Sequence, residues 1–212
     1  MKLLLSVLII LLGFLVSGVW FGTTVLIAKT RFGKMEYSHY FFPIISSILP
    51  LACILPFKRS WQTDWSRLSD IQMWGIIFLT AVAVNIFIFL FIRKPYTKQD
   101  KLHYFLALFE AGSMEIPMRL MMLNFTVILL ELWKLPSWLS IYFTGIIWCL
   151  AIVVQAAAFG GRPKEAIVEI VASMLFSVGI GYVYFSTGLL LFPIAGHILE
   201  RLIGTEMKKL VK

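Results

Sequence analysis

Charged residues, cysteine and histidine are scarce in this sequence. Only 14% of the 212 residues are Asp, Glu, Lys or Arg, against about 25% in soluble domains. The two cysteines, Cys53 and Cys149, lie in apolar stretches and lack the spacing of a disulfide framework or a zinc site. With three histidines and no HExxH pattern, the sequence does not favour a zinc metalloprotease, and we expect neither a bound metal nor a cofactor.

Long polar segments and nucleotide-binding motifs are also missing. The longest polar stretch, residues 58–70, is short enough to be a connector, so no soluble domain is expected. No GxGxxG, P-loop or nucleophile-elbow pattern occurs. No internal repeat is visible either, whereas many transporters are built from inverted repeats.

Apolar residues make up 60% of the chain and are concentrated in long runs. A helix rises about 1.5 Å per residue, so about 20 apolar residues cross a hydrocarbon core of about 30 Å. We therefore predict an all-α fold, a polytopic transmembrane helix bundle with about seven spans. The predicted spans are residues 3–28, 40–57, 71–92, 104–133, 138–159, 166–186 and 189–203.

The first apolar run resembles a secretory signal peptide. It follows Lys2, and Val16-Ser17-Gly18 is similar to a small-residue cleavage site. The run continues to Ala28, which is longer than the apolar core of a signal peptide. We expect an uncleaved anchor helix, with cleavage as the alternative.

The basic residues predict how the chain is oriented. The net charge of +8 is carried by loops, where Lys and Arg favour the cytoplasmic side and contact anionic lipid head groups. We therefore expect membrane lipid as a partner, and no nucleic acid. An outside N-terminus and a cytoplasmic C-terminus give twelve basic residues inside and five outside. The inner set is Lys29, Arg31, Lys34, Arg93, Lys94, Lys98, Lys101, Arg162, Lys164, Lys208, Lys209 and Lys212, and the outer set is Lys2, Lys58, Arg59, Arg67 and Lys134.

The fourth predicted span is long for a single crossing. Gly112 and Ser113 fall within it, and Ser is a favourable N-cap residue. Pro117 would then lie in the first turn of a new helix, where its missing N–H costs little. We predict a break or kink near Gly112.

Polar residues inside the spans are the candidates for function, since a charge at the bilayer centre costs on the order of 2.5–3.5 kcal/mol. Plain structural roles are possible for all of them. Glu115 and Arg119 are four residues apart and can neutralise each other, while an amide or imidazole can bond a neighbouring helix. The candidates are Asn85, Glu115, Arg119, Asn124, Gln155, Glu169, His197, Glu200 and Arg201.

Depth in the membrane favours a shared site over scattered contacts. In the predicted topology Glu115 lies in the inner half of its span, and Gln155 and His197 lie in the middle or inner half of theirs. Unrelated contacts would not be expected to share a depth. We therefore predict that these three side chains face one polar cavity that opens toward the cytoplasm.

Three segments carry a resemblance to a known family. MEIPMR, residues 114–119, is similar to an EExxxR motif whose first Glu is replaced. AIVVQ, residues 151–155, stands where FxxxH is expected. GIGYVY and STG, residues 179–184 and 186–188, precede HILER, residues 197–201, which is similar to HxxxN with Arg at the last position. Together they resemble the CPBP (Abi-type) family, intramembrane proteases related to the CAAX prenyl endopeptidase and to bacteriocin-processing and immunity proteins.

The resemblance implies a CPBP-like helical core over residues 104–212, preceded by three N-terminal spans over residues 1–103. In that family a Glu and a His activate a water inside a membrane-embedded cavity, and an Asn helps to hold the oxyanion. Carried over, Glu115, Arg119 and His197 match motif residues of the catalytic site. Gln155 and Arg201 occupy the remaining catalytic positions.

Three departures from the motifs bear on activity. Met114 replaces the Glu usually assigned as the general base, Gln155 cannot exchange a proton near neutral pH, and Arg201 replaces the Asn. We therefore expect a catalytically impaired protein of a bacterial cell membrane that binds peptide or membrane-protein partners, in the manner of an immunity or regulatory factor. The alternatives are an active CAAX-type peptidase using Glu115 and His197, and a small membrane transporter.

Overall fold

The computed structural model describes residues 1–31, 34–35, 37, 40–41, 45, 47–48, 64–93, 96, 100–159 and 162–210. For some residues of the first helix and of the helix over residues 140–159, the backbone alone is described. Every regular element in these ranges is helical, which confirms the all-α prediction for them. The second predicted span, residues 40–57, lies mostly outside the described residues.

The described helices match the predicted apolar runs. The 3₁₀ turn Trp65–Ser69 directly precedes the helix Ile71–Phe91, and the 3₁₀ turn Ser137–Leu139 directly precedes the helix Ser140–Phe159. The helices are α1 (Lys2–Lys29), α2 (Ile71–Phe91), α3 (Lys101–Glu115), a π-helical segment (Ile116–Leu123), α4 (Asn124–Leu132), α5 (Ser140–Phe159), α6 (Pro163–Thr187) and α7 (Leu191–Lys208).

Three helices are long and apolar enough to cross a membrane. They are α2, the continuous run Lys101–Leu132, and α6. At about 1.5 Å per residue, even the shortest of them, with 21 residues, matches a hydrocarbon core of about 30 Å. A multi-pass membrane protein is therefore consistent with the described residues, whereas seven spans are more than these helices establish.

The chain forms two compact units. The first unit contains residues 1–62 and 99–140, and the second contains residues 63–98 and 141–212. Both are discontinuous in sequence, since each draws on an early and a late part of the chain. The division at residue 103 that the family resemblance implies stays a prediction.

Asp side chains begin two of the long helices. Asp70 accepts the Gln72 N–H at 2.9 Å, and Asp100 accepts the His103 N–H at 2.7 Å, so each satisfies a donor that the first helical turn leaves without a partner. His103, one residue before the predicted fourth span, therefore lies in the first turn of α3. The hydrogen bond from the His103 N–H lowers the pKa of the exposed Asp100 carboxyl, because it stabilises the ionised form.

In the first unit α1 packs antiparallel to α4. Trp133 Nε1 donates to Ser6 Oγ at 2.8 Å, and a Cβ placed at Gly13 would lie 3.8 Å from the ring of Phe125. The contacts follow opposite directions along the two helices, from Ser6 to Gly13 and from Trp133 to Phe125. The predicted N-terminal anchor is therefore a helix that is packed against the fourth predicted span.

In the second unit α2 packs against both α6 and α7. Trp74 and Phe192 meet edge to face with ring centroids 4.9 Å apart, and Asn85 contacts α7 further along at Glu200. Helices α2 and α7 therefore run parallel, while α6 runs antiparallel to both. The buried apolar core of this unit is Met73, Ile77, Val84, Ala172, Phe176, Ile180, Val183, Leu189 and Phe192.

Two glycines allow these helices to approach closely. A Cβ at Gly179 of α6 would collide with the side chain of Thr80 on α2, and a Cβ at Gly204 of α7 would lie 2.5 Å from Asn85 Oδ1. Asn85 Nδ2 donates to the backbone oxygen of Glu200 at 2.9 Å. Small residues at such contacts are typical of helix packing in membranes, where lipid gives no hydrophobic driving force between helices.

Large apolar side chains also cover outward faces of the helices. A soluble protein rarely exposes a continuous apolar surface of this kind, whereas hydrocarbon chains of a bilayer would solvate it. Exposed examples on α1, α2 and α5 are Leu4, Leu8, Leu11, Leu15, Phe78, Leu79, Leu90, Tyr142, Ile146 and Leu150.

Gly179→Ala tests the close contact between α6 and α2. We expect a loss of roughly 1–3 kcal/mol of stability, because the new methyl group overpacks the stiff Thr80 side chain, and a lower midpoint of thermal unfolding in detergent. Gly75→Ala is the matched control, since a Cβ there meets nothing within 4 Å. It should be neutral or slightly stabilising, given the higher helix propensity of Ala. Equal midpoints for the two variants would contradict the packing described.

Candidate functional site

A π-helical segment interrupts the membrane-length helix Lys101–Leu132. The segment, Ile116–Leu123, begins one residue before Pro117. Proline has no N–H, so it cannot donate to the Ser113 carbonyl as an α-helical residue at this position would. The Ser113 oxygen instead accepts from the Ile116 N–H and, at 3.2 Å, from Ser47 Oγ. A backbone donor of the helix and a hydroxyl from outside it thus satisfy this carbonyl, as buried backbone in an apolar environment requires.

The irregularity differs from the predicted break near Gly112. Ser113 does not act as an N-cap, because its Oγ donates backward to the Glu110 oxygen at 2.7 Å. The helix continues through Gly112 and widens three residues after Ser113, at Ile116. Pro117 therefore changes the winding of the helix without ending it. Such π segments occur frequently at functional sites.

Glu115 and Arg119 form an ion pair at the start of this segment. Arg119 Nε donates to Glu115 Oε2 at 2.8 Å, and both side chains are 0% exposed. The pairing expected from their spacing of four residues is therefore present. Two opposite charges at hydrogen-bond distance cancel each other, which is a condition for burying either of them in an apolar environment.

The pair limits what Glu115 can do chemically. A general base must reach the proton it abstracts, directly or through one water. In this structure one carboxylate oxygen of Glu115 accepts a guanidinium hydrogen bond, and the side chain has no exposed surface. The arrangement supports a structural role for Glu115, and its catalytic role stays a prediction.

Asn124 begins α4 directly after this segment, and sequence reasoning left this candidate outside the predicted cavity. It is 3% exposed, and its Nδ2 donates to the Leu120 oxygen at 2.6 Å. The Asn124 Oδ1 atom is buried and has no hydrogen-bond partner among the described residues. An acceptor in that state is costly in an apolar environment, so it is the natural place for a hydrogen bond from a bound donor.

The π winding changes which residues share a helix face with Asn124. In an α-helix each residue turns by about 100°, so Asn124, nine positions later, would face away from Glu115. Bonds from i to i+5 bring residues about five apart onto one face, which aligns Asn124 with Arg119. Pro117, a proline within a long helix that carries polar residues, is the sequence signal that could have indicated this change in winding.

His197 and Arg201 lie one turn apart on α7 of the second unit. The His197 imidazole is partly buried and stacks at a tilt on Phe176 of α6, with ring centroids 5.0 Å apart. The Arg201 side chain is 58% exposed, and its Nε lies 3.8 Å from Glu200 Oε2. An imidazole and a guanidinium are therefore both accessible on this helix.

The remaining predicted site residue is Gln155. It belongs to α5, and its side chain lies outside the described residues. Glu115 and Arg119 belong to the first unit, whereas Gln155, His197 and Arg201 belong to the second. The structure brings together Glu115 with Arg119, and His197 with Arg201, each within its own unit. The convergence of Glu115, Gln155 and His197 on one cavity stays a prediction.

The described residues contain no group of side chains that could hold a metal ion. No three His, Cys, Asp or Glu side chains in those ranges lie close enough together to bind an ion. Asp100 and His103 form one close acid–imidazole pair, with Oδ2 2.8 Å from Nδ1, and the hydroxyl of Tyr37 donates to the same carboxylate at 3.2 Å. This cluster joins the segment after α1 to the start of α3.

A double-mutant cycle tests the buried ion pair. Glu115→Leu or Arg119→Leu alone should cost roughly 3–5 kcal/mol, because either change leaves an uncompensated buried charge. The double variant should lose much less than the sum, since no charge is then left unpaired. The exposed pair Arg162–Glu165, 3.5 Å apart, is the control, where Arg162→Leu should cost roughly 1 kcal/mol or less. Additive losses at Glu115 and Arg119 in unfolding experiments would refute the coupling.

Comparison with known proteins returned no relationship. No protein-family model matches the chain, and neither a curated protein nor a solved structure matches it. The similarity to the CPBP family therefore rests on the three quoted segments and is an expectation from the sequence.

Proposed function

We propose that this chain is a seven-span membrane protein of the CPBP type that has lost peptidase chemistry and binds peptide or membrane-protein partners on its cytoplasmic side. The N-terminus is outside and the C-terminus cytoplasmic. The function is regulatory or immunity-like, and the polar side chains of the motif positions serve binding. The family, the number of spans and the partner class are all part of the proposal.

One observation carries the loss of catalysis: the Glu115 carboxylate is closed off by Arg119. Both side chains have no exposed surface and share a 2.8 Å hydrogen bond. The adjacent position, where the family resemblance places the general base, is occupied by Met114, which has no proton to exchange. The chain therefore keeps the Glu–Arg pair as a support for the helix and has Met114 at the position of the family's general base.

The exposed groups of α7 support a binding role. His197 is partly buried and Arg201 is largely exposed, and both can donate hydrogen bonds to a carbonyl or a carboxylate. A peptide offers both kinds of acceptor. These two residues are therefore the contacts that we assign to a bound partner.

Contacts in the first unit support the alternating topology. The hydrogen bond between Trp133 and Ser6 joins two segments that the topology places outside. The hydrogen bond from Tyr37 to Asp100 joins two segments that it places inside. Segments on opposite sides of a membrane could not make either contact.

Contacts in the second unit agree with the same topology. The N–H of Asp64 donates to the Thr187 oxygen at 3.3 Å, joining two outer segments. The Lys209 amine lies 5.5 Å from the ring centroid of Tyr96, joining two inner segments. The parallel course of α2 and α7 also requires an odd number of crossings between them, which Lys101–Leu132, α5 and α6 together supply.

The loss of peptidase activity can be measured on the purified protein in lipid nanodiscs. We expect no cleavage of a broad peptide library that includes prenylated CAAX-like peptides, because Glu115 is paired with Arg119 and Met114 stands at the position of the general base. Glu115→Gln should leave this background unchanged. An active CAAX prenyl endopeptidase in the same nanodiscs is the positive control.

Cleavage by the intact chain that disappears in Glu115→Gln would establish the active peptidase and reject our proposal. Cleavage that persists in the variant would point to a contaminating protease, which a second purification tests.

The topology can be measured by labelling single cysteines in intact cells. In a background with Cys53 and Cys149 replaced by Ala, Ser66→Cys should react with a membrane-impermeant maleimide added outside. Lys208→Cys should react only after the membrane is permeabilised. Both positions are exposed, so the membrane alone should control access. The reverse labelling pattern would overturn the proposed orientation. Labelling of both positions from outside would mean that the chain crosses the membrane an even number of times between Ser66 and Lys208, which contradicts the proposed topology.

A further inference from the structure

The two ends of the second unit differ in charge. The end of α2, the start of α6 and the end of α7 lie together, because α6 runs antiparallel to the other two. We call this the basic end, and its described cations are Arg93, Arg162, Lys164, Arg201, Lys208 and Lys209. The opposite end carries Asp64, Arg67 and Asp70, which are joined by ion pairs of 3.6 and 2.9 Å. Among the described residues of this unit, only the basic end has cations in excess.

Three of the six described cations at the basic end are paired with acidic side chains. Three ion pairs are formed there, and each lies within one helix or its first turn. The pairs are Arg162 with Glu165, Arg201 with Glu200, and Lys209 with Glu206. Among the described residues no acidic side chain pairs with Arg93, Lys164 or Lys208, all of which are exposed. Glu169, one turn into α6, is the remaining acid at this end.

The free cations adjoin apolar surface. Arg93 lies over the ring of Phe89, with its guanidinium carbon 5.8 Å from the centroid. Leu90 and Phe91 at the end of α2 are 64% and 50% exposed, and Ile167, three residues after Lys164, is 61% exposed. Positive groups next to exposed hydrocarbon match the two parts of a phospholipid, the phosphate and the acyl chains. A free phosphate ion has no acyl chains that could contact the apolar surface.

We propose that the basic end of the second unit binds an anionic phospholipid, whose headgroup phosphate is held by Arg93, Lys164 and Lys208. This inference rests on the proposed membrane placement and is independent of whether the chain cleaves peptides. The three cations come from three different helices, so one bound headgroup would bridge the end of α2, the start of α6 and the end of α7. Charge complementarity selects an anionic headgroup over a zwitterionic one.

Native mass spectrometry of the purified full chain can test this assignment. The probes are phosphatidylglycerol and phosphatidylcholine with identical acyl chains, added at equal concentration. We expect preferential retention of phosphatidylglycerol, and Lys164→Gln/Lys208→Gln should weaken the preference roughly tenfold, given the effect of each cation near an anionic surface. Arg162→Gln/Lys209→Gln is the matched control, because it removes two charges from the same helix ends at positions that are already ion-paired. The control should change the preference much less.

Each other outcome would overturn the assignment. Equal retention of the two lipids in the unchanged protein would show that no anionic site exists. Equal losses in both double variants would show that only the total charge matters. Displacement of the lipid by millimolar glycerol phosphate would assign the site to a soluble phosphate. A peptidase assay run on the same samples keeps this result separate from the proposed function, since lipid retention does not depend on cleavage.

Discussion

Glu115 and Arg119 carry opposite charges in a helix that has to be largely apolar to lie in a membrane, and each is tolerated there because of the other. Their 2.8 Å hydrogen bond lies where neither side chain has exposed surface, and removing one partner would leave a charge that nothing solvates. The pair also occupies the carboxylate that would otherwise be the best candidate for a base. The stability of the helix and the limit on what this carboxylate can do chemically thus have the same cause.

The segment that follows the pair depends on a second constraint, the satisfaction of backbone hydrogen bonds. Pro117 removes one donor, the helix widens over Ile116–Leu123, and the hydroxyl of Ser47 reaches the Ser113 carbonyl. The widened winding turns Asn124 toward the face of Arg119. A single proline therefore decides which polar residues share a face in the first unit.

Much of the fold was predictable because the apolar runs are a local property of the sequence. The predicted spans 71–92, 104–133 and 166–186 coincide with the three helices long enough to cross a membrane. The apolar pattern starts the fourth span at residue 104, whereas α3 starts at Lys101, because the Asp100 side chain caps a first turn that is not apolar. The irregularity predicted near Gly112 lies at Ile116–Leu123 instead, because Ser113 Oγ bonds back to the Glu110 oxygen within the helix, which is the local alternative to N-capping for a Ser residue.

The candidate site was predictable only in part. The pairing of Glu115 with Arg119 follows from their spacing, because residues four apart are neighbours on a helix. The alignment of Asn124 could not be read from an α-helical period, since that period does not hold across the π segment. Whether Glu115 and His197 share a cavity depends on how the two units pack, and no periodic pattern within a helix encodes that arrangement.

The amide of Asn85 has a mechanical consequence for the second unit. Its Nδ2 holds the Glu200 oxygen of α7 while its Oδ1 occupies the space that Gly204 leaves open. Sliding α7 along α2 by one residue would replace Gly204 with a side chain at that point and break the bond. The hydrogen bond and the close contact at Gly204 therefore resist sliding of α7 along α2, and a displacement that keeps both contacts moves the two helices together.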